Sequence, residues 1–230
     1  MGETSIIAKK YDGFHVVMYT PELIWRENCY LLCFQNQECF IIDPGFACEE
    51  ICSYIESHGY AVKGILLTHA HHDHLASADY ISGHFHVPCI LHEADKRLLM
   101  HAPMYALRFA QEKIKRPTNI MWLTDDVGDN LAGQYGIHVI HTPGHTPGGV
   151  CYSCGNAIFS GDTIVKGYVG RTDLPGSNRE QLETSVEQLF ASQEISDGMD
   201  LYPGHGLAWT IKAAREWWRN GMRREQKDFG

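Results

Sequence analysis

No stretch of this chain approaches the ~18 consecutive apolar residues that a membrane-spanning helix requires. The N-terminal "MGETSIIAKKYDG" lacks the basic segment and following apolar run of a secretory signal. Gly2 follows Met1, but Ile6 stands where a lipidation signal wants Ser or Thr. These absences lead us to expect a cytoplasmic protein that neither crosses nor is anchored to a membrane. Positive charge is also scarce: 19 Lys and Arg against 28 Asp and Glu leave a net charge of −9. The one basic concentration is the tail "RNGMRREQK", too little for a phosphate-backbone surface, so nucleic acid is disfavoured as a partner. "WWRNGMRR" reads instead as the basic end of a last helix, where cations complement the dipole. A second CxxC is missing too. Of the 8 cysteines, Cys151 and Cys154 in "CYSC" have metal-ribbon spacing but no second pair to complete a site. The rest read as reduced, buried small hydrophobes. Linkers, repeats and low-complexity segments are absent, so residues 1–230 read as one domain, and no feature fixes an oligomeric state.

What is present alternates between strand and helix patterns. "FHVVMYT" (14–20), "NCYLLCF" (28–34) and "CFIIDPG" (39–45) are β-branched and aromatic runs parted by polar turns. Helical spacing follows in "ACEEICSYIESHG" (47–59), then a strand at "VKGILLTH" (62–69), a helix at "LASADYISGHF" (75–85), a strand at "VPCILHE" (87–93) and a helix at 93–101. Residues 102–130 offer a helix at 104–114 and a loop through "KRPTNI". Strands resume at 135–145, 149–155 and 156–162; helices close the chain at 178–192 and 208–221, with a short strand and loop at 200–206. Two sheets packed together with helices outside account for this order.

Four of the strand-like runs, "ILLTHAHHDH", "VIHTPGH", "AIFSGD" and "LYPGH", end in turns that carry His or Asp. Such turns set side chains at strand ends, and glycine there permits close backbone approach. A helix would scatter the crowded residues of "HAHHDH" around its axis, whereas a metal site at the end of a buried strand uses nearly all of them. Imidazole with carboxylate suits zinc, iron or manganese; calcium or magnesium would call for oxygen ligands alone.

The run His69-Ala70-His71-His72-Asp73-His74 resembles the HxHxDH signature of the metallo-β-lactamase superfamily. The three later turns follow that family's remaining metal motifs in order, so that the similarity extends from Asp43 in "IIDPG" to His205. The resemblance implies an α/β fold, a four-layer αββα sandwich, carrying two divalent metal ions, zinc foremost, with iron or manganese as alternatives. It implies His69, His71 and His145 as ligands of the first ion, Asp73, His74 and His205 as ligands of the second, and Asp162 as a bridge. Asp73 would also be catalytic, orienting the nucleophile, a metal-bridging hydroxide. Of the two histidines in "HTPGHTPG", the family ligand follows the Pro-Gly turn, which favours His145 over His141. His72 occupies a variable position and reads as a non-ligand that faces the substrate or braces the ligands. Asp43 resembles the aspartate that braces the metal loop, the alternative being an ordinary turn cap.

Within the superfamily, Asp162 stands where the classical zinc β-lactamases carry cysteine, and "HAHHDH" departs from the HxExDH of flavo-diiron proteins. "GRTDLPGSN" (170–178) resembles the "GRTDLPGG" segment of short bacterial glyoxalase II-like proteins. The resemblance therefore implies a thioester hydrolase with a small-molecule substrate of hydroxyacylglutathione type. About 25 residues follow His205, fewer than the helical domain that builds much of the glutathione pocket in glyoxalase II. A mononuclear-iron persulfide dioxygenase, a lactone or ester hydrolase, and a non-catalytic metal-binding protein are the alternatives. Arg171, with Asp173, reads as a salt-bridge residue at the metal rim or a substrate contact; Tyr168 and Lys166 read as substrate contacts or plain loop residues. Residues 100–125, with "HAPMYALRF", read either as a flap over the metals or, for their Met and aromatic content, as core.

Overall fold

The computed structural model describes residues 5–21 and 27–221. Gly2 and the basic tail from Met222 onward lie outside the described residues. Seven described strands form one sheet in the order β1 (Ser5–Lys10), β2 (Phe14–Thr20), β3 (Cys29–Phe34), β4 (Glu38–Ile42), β5 (Ala61–Leu66), β6 (Cys89–His92) and β7 (Ile120–Leu123). β1 to β4 pair antiparallel; β4 to β7 pair parallel. Parallel neighbours need crossovers, and these are supplied by α1 (Cys48–His58), by the single turn α2 (His72–Leu75) with α3 (Ala78–Phe85), and by α4 (Lys96–Tyr105). After α5 (Asp125–Tyr135), a second sheet is built from β8 (Ile137–His141), β9 (Val150–Cys154), β10 (Ala157–Gly161), β11 (Asp200–Pro203) and β12 (Trp209–Thr210), in the order β12-β11-β10-β9-β8. α6 (Arg179–Ala191) makes its parallel β10–β11 crossover, and α7 (Ile211–Asn220) follows β12. No described helix is long and apolar enough to cross a membrane.

Side-chain alternation along each strand divides the interior into three cores. Val16, Met18, Tyr30, Leu32, Phe40 and Ile42 face the second sheet, where Val150, Tyr152 and Phe159 meet them. Their neighbours Val17, Tyr19, Leu31 and Ile41 face α1 and α3, burying Ile51, Ile55 and Ile81. On the far side, Ile158 and Leu201 pack on Leu182, Val186 and Trp218 of α6 and α7. Each such side chain contributes about 1.5–3 kcal/mol on burial, and both faces of both sheets are thereby covered: the layers run αββα. The cysteines follow the same alternation. Cys151 faces the helices and Cys154 the other sheet, so the "CYSC" pair points opposite ways from one strand. All eight are free thiols.

The largest departure from the sequence expectation lies in 102–130. α4 continues through Tyr105 and passes into a π-helical turn at Ala106–Ala110, which Gln111 ends with a left-handed φ of 58°; the helix expected at 104–114 is therefore mostly something else. β7 and α5 carried no expectation. α5 has its signals: Thr124 accepts from the Val127 N–H, Asp125 and Asp126 fill the first turn, and Gly136 closes it in the left-handed region. Gly128 and Gly133 inside the helix dilute them.

Candidate metal centre

β5 and three strands of the second sheet end on one edge of the sandwich, and every polar turn named above begins there. His69 and His71 follow β5, and the turn of α2 brings Asp73 and His74 back over them. His145 lies between β8 and β9, Asp162 directly after β10, and His205 just after β11. Backbone bonds stitch the turns together: Val150 N–H to Thr68 O (2.9 Å), Gly45 N–H to His74 O (3.1 Å) and Gly204 N–H to Gly161 O (2.7 Å). Gly204 has to be glycine, because a Cβ there would run into the Asp162 carboxylate and come within 2.6 Å of His74 Cε1.

Among the described residues, three groups of side chains converge closely enough to hold an ion, with ligand atoms within 4.8 Å of one another: His69 with His71 and His145, His69 with His74 and Asp162, and Asp73 with His74 and His205. The first and third bring together the residues that the family resemblance implied for each of two ions, and the second sets Asp162 beside His69 of one and His74 of the other. His145 Nε2 and Asp162 Oδ2 are 3.5 Å apart, as are His74 Nε2 and Asp162 Oδ1; His205 Nε2 lies 3.4 Å from Asp73 Oδ2 and 3.6 Å from Asp162 Oδ2.

The outer nitrogens dictate which inner ones carry lone pairs. Asp43 accepts from Thr68 N–H (2.8 Å), Thr68 Oγ1 (2.6 Å) and His74 Nδ1 (3.0 Å). With its proton on Asp43, the Thr68 hydroxyl accepts from His69 Nδ1 at 3.0 Å. His145 Nδ1 donates to the Arg171 carbonyl at 2.8 Å. These partners turn the Nε2 atoms of His69, His74 and His145 inward, the arrangement by which carboxylates and carbonyls orient metal-binding imidazoles. His69 Nε2, His74 Nε2 and Asp162 Oδ1 are buried without a hydrogen bond, and buried groups of this kind need a partner. His145 Nε2 and His71 Nδ1 face each other at 2.9 Å, a gap that calls for a proton or a cation. This donor set fits a divalent transition metal.

Charge divides the cluster in two. Burial, then the charge of His74, holds His69 far below the ordinary imidazole value, and burial with His145 brings His71 down to about 3; both are neutral donors at any physiological pH. Burial opposes the charge on His205 as well, yet Asp162 and the bond to Asp73 carry it up to about 9. His74 is likewise raised against burial by Asp162 and Asp43. Asp73 and Asp162 resist burial's upward push: His205, through its bond to Asp73 and its charge on Asp162, and then the charge of His74, hold them well below the carboxylate range. The acidic half of the site therefore attracts positive charge strongly, whether protons or metal.

A cleft of about 160 Å³ opens over the cluster. His72, a non-ligand by expectation, belongs to none of the three groups and lines this cleft with Leu98, Tyr105 and Phe109. The flap reading of the 100–125 segment matches that placement, while the core reading does not: Met100, Met104, Leu107 and Phe109 are 59%, 55%, 56% and 47% exposed. Arg171 is at the rim, its guanidinium bound to Asp173 by two 2.7 Å bonds. Tyr168 and Lys166 do not line the cleft. His141 points away, to Pro147 O (3.0 Å), and stacks on His92.

Three contributors escaped the sequence reading. Asp95, fully buried, accepts from Ala70 N–H (3.0 Å), Thr146 Oγ1 (2.9 Å) and Gly148 N–H (2.7 Å), tying the His69–His71 turn to the His145 turn. Asn28 donates to Pro203 O (2.9 Å) and Gly206 O (2.8 Å), holding the His205 turn. Gly170 lets the chain pass His145, where a Cβ would sit 2.6 Å from Nδ1. Asp95 lies in a segment whose pattern reads only as helix, and nothing local marks partners 25 and 53 residues distant.

Known proteins resemble this chain in sequence and fold. The probable metallo-hydrolase YqgX of Bacillus subtilis is 35% identical over 185 residues, covering 79% of this chain and 85% of that one. The hydroxyacylglutathione hydrolase GloC of Haemophilus influenzae is 31% identical over 194 residues, 83% of this chain and 91% of its own. The crystal structure of TTHA1623 in a di-iron-bound form superposes with a TM-score of 0.74 at 32% identity, covering 84% of this chain and 93% of that one. The model of the metallo-beta-lactamase superfamily matches residues 25–205, the span that holds every turn of the cluster, and the chain belongs to that superfamily.

Proposed function

We propose that this metallo-hydrolase cleaves thioesters at a centre for two divalent ions. The observation that carries the reading is the convergence of three ligand groups on the buried, unbonded Nε2 atoms of His69 and His74 and Oδ1 of Asp162. His69, His71 and His145 would hold one ion, Asp73, His74 and His205 the other, with Asp162 between them. Such a pair, when bound, acidifies a water and stabilises developing negative charge on oxygen or sulfur. The chain's own groups then divide the work. Asp43, Thr68 and the Arg171 carbonyl fix the imidazoles. Asp73, kept ionised at the cleft floor, orients the attacking water by accepting a hydrogen bond from it. Leu98, Tyr105 and Phe109 shield the reacting carbonyl from bulk water. Zinc is the metal we favour, and the resemblance to GloC makes a hydroxyacylglutathione the first thioester to try.

The test is hydrolysis of S-lactoylglutathione by zinc-reconstituted protein beside Asp73→Ala, with a fall of about 10²-fold or more expected in the variant. Turnover equal in both proteins, or none on any thioester, sinks the reading. Oxygen consumption by iron-loaded protein with a persulfide would then put a dioxygenase in its place.

A further inference from the structure

The cleft is polar at its floor and apolar at its walls. Leu98, Tyr105, Phe109, Leu174 and Pro175 supply the apolar part of its lining. The Tyr105 and Phe109 rings stack with centroids 6.0 Å apart and planes 18° from parallel, and His72 extends the row 6.5 Å from Phe109. Phe109 sits in the π-helical turn, a feature that recurs at functional sites, and its half-exposed ring leaves apolar surface in water that an apolar guest would cover. Arg171, the one lysine or arginine among the described lining residues, is bound through Nε and Nη2 to Asp173. Among the described residues, these walls offer an anionic tail no lysine or arginine outside an ion pair.

Volume decides which half of a thioester enters. About 160 Å³ compares with the ~150 Å³ apolar cavity that accepts one benzene. A phenyl ring or an alkyl chain of about six carbons fits that space, whereas a tripeptide thiol does not.

We infer that the cleft is an acyl subsite selecting thioesters of compact apolar acids, medium-chain or aryl, over hydroxylated ones, with Phe109 and Tyr105 setting the preference. The inference rests on the thioester reading. In the reaction, water adds to the carbonyl, the C–S bond breaks with its electron pair leaving on sulfur, and the water's proton reaches the thiolate, giving a carboxylic acid and a free thiol. The acid's alkyl or aryl group occupies the Tyr105–Phe109 wall while its carboxylate leaves the floor.

Glutathione thioesters of acetic, butyric, hexanoic, phenylacetic and lactic acids share one thiol and isolate the acyl group. Their kcat/KM is measured with zinc-loaded protein, and the free acids are titrated into the same protein by calorimetry. We expect kcat/KM to rise roughly threefold per methylene up to hexanoyl, phenylacetyl to match hexanoyl, and lactoyl to fall below butyryl. Dissociation constants of the acids should follow the same order. Phe109→Ala should cut the hexanoyl-to-acetyl ratio about tenfold, and Phe109→Leu should restore most of it. Flat series in both measurements, or lactoyl as the best substrate, overturn the subsite while thioester hydrolysis stands. A graded acid titration without turnover of any thioester leaves the subsite and removes the thioester reading.

Discussion

Replacing Asp95 with alanine should loosen the metal centre without touching a ligand. The side chain has no exposed surface and accepts three hydrogen bonds, from Ala70 N–H, Thr146 Oγ1 and Gly148 N–H. Alanine leaves two backbone donors buried without partners, at about 1–3 kcal/mol each, while the Thr146 hydroxyl can rotate. Removing the carboxylate also relieves its own desolvation, which pushes its pKa up against the three donors. The net loss is about 3 kcal/mol of folding stability, a large share of the roughly 5–15 kcal/mol a domain has. Asparagine keeps one oxygen for two donors and turns its amide nitrogen toward the third, so Asp95→Asn should cost about half as much. Because Asp95 joins the turn of His69 and His71 to that of His145, zinc affinity should drop about 10–100-fold in the alanine variant. Urea denaturation of chelator-stripped protein measures the first quantity, and competition with a chromophoric zinc chelator the second. Zinc affinity within twofold of the parent would show that the Thr68–Val150 backbone link holds the turns in register without Asp95.

Asp43→Ala frees His74 Nδ1 and both Thr68 donors, and should weaken zinc at the Asp73, His74, His205 group by about 10–100-fold, read as one retained ion per chain after dialysis. In stripped protein, His205 has a folded value of about 9 above its unfolded ~6.5; its stabilisation is complete below pH 6.5 and is lost as pH rises through 9. Unfolding free energies from urea titrations should fall across that window by up to about 3 kcal/mol, and metal affinity should climb over it as protons leave; a flat profile would refute the charge assignment. Gly170→Ala crowds the His145 ring and should lower zinc affinity while leaving the far-ultraviolet circular dichroism of the sandwich intact. Cys151→Ser and Cys154→Ser should leave bound metal unchanged by elemental analysis, since the two face different cores.

The donor turns were legible because each lies in a short segment behind a strand, where residue type and order carry the chemistry. The crowding of "HAHHDH" marks a metal site, while its division between two ions and the choice of His145 over His141 came from the resemblance to the superfamily's motifs. The alternation that sorts Val16 from Val17, or Cys151 from Cys154, is equally local. β7 and α5 were illegible because a four-residue strand has little pattern, and two interior glycines blur an otherwise well-capped helix. Phe109 looked like core because its type is usually buried; its exposure follows from α4 breaking into a π-helical turn at the cleft edge.

The sequence, through its resemblance to the superfamily, therefore named the side chains proposed to hold metal and, through its order and alternation, the two packed sheets that gather them. How those side chains are held was decided by folding. Asp95 clasps two loops, the Arg171 carbonyl sets the tautomer of His145, and Phe109 walls a cleft only once distant segments meet. A hydrogen bond to a backbone group has no signature in residue type, and the exposure of an aromatic ring is a property of its neighbours in space.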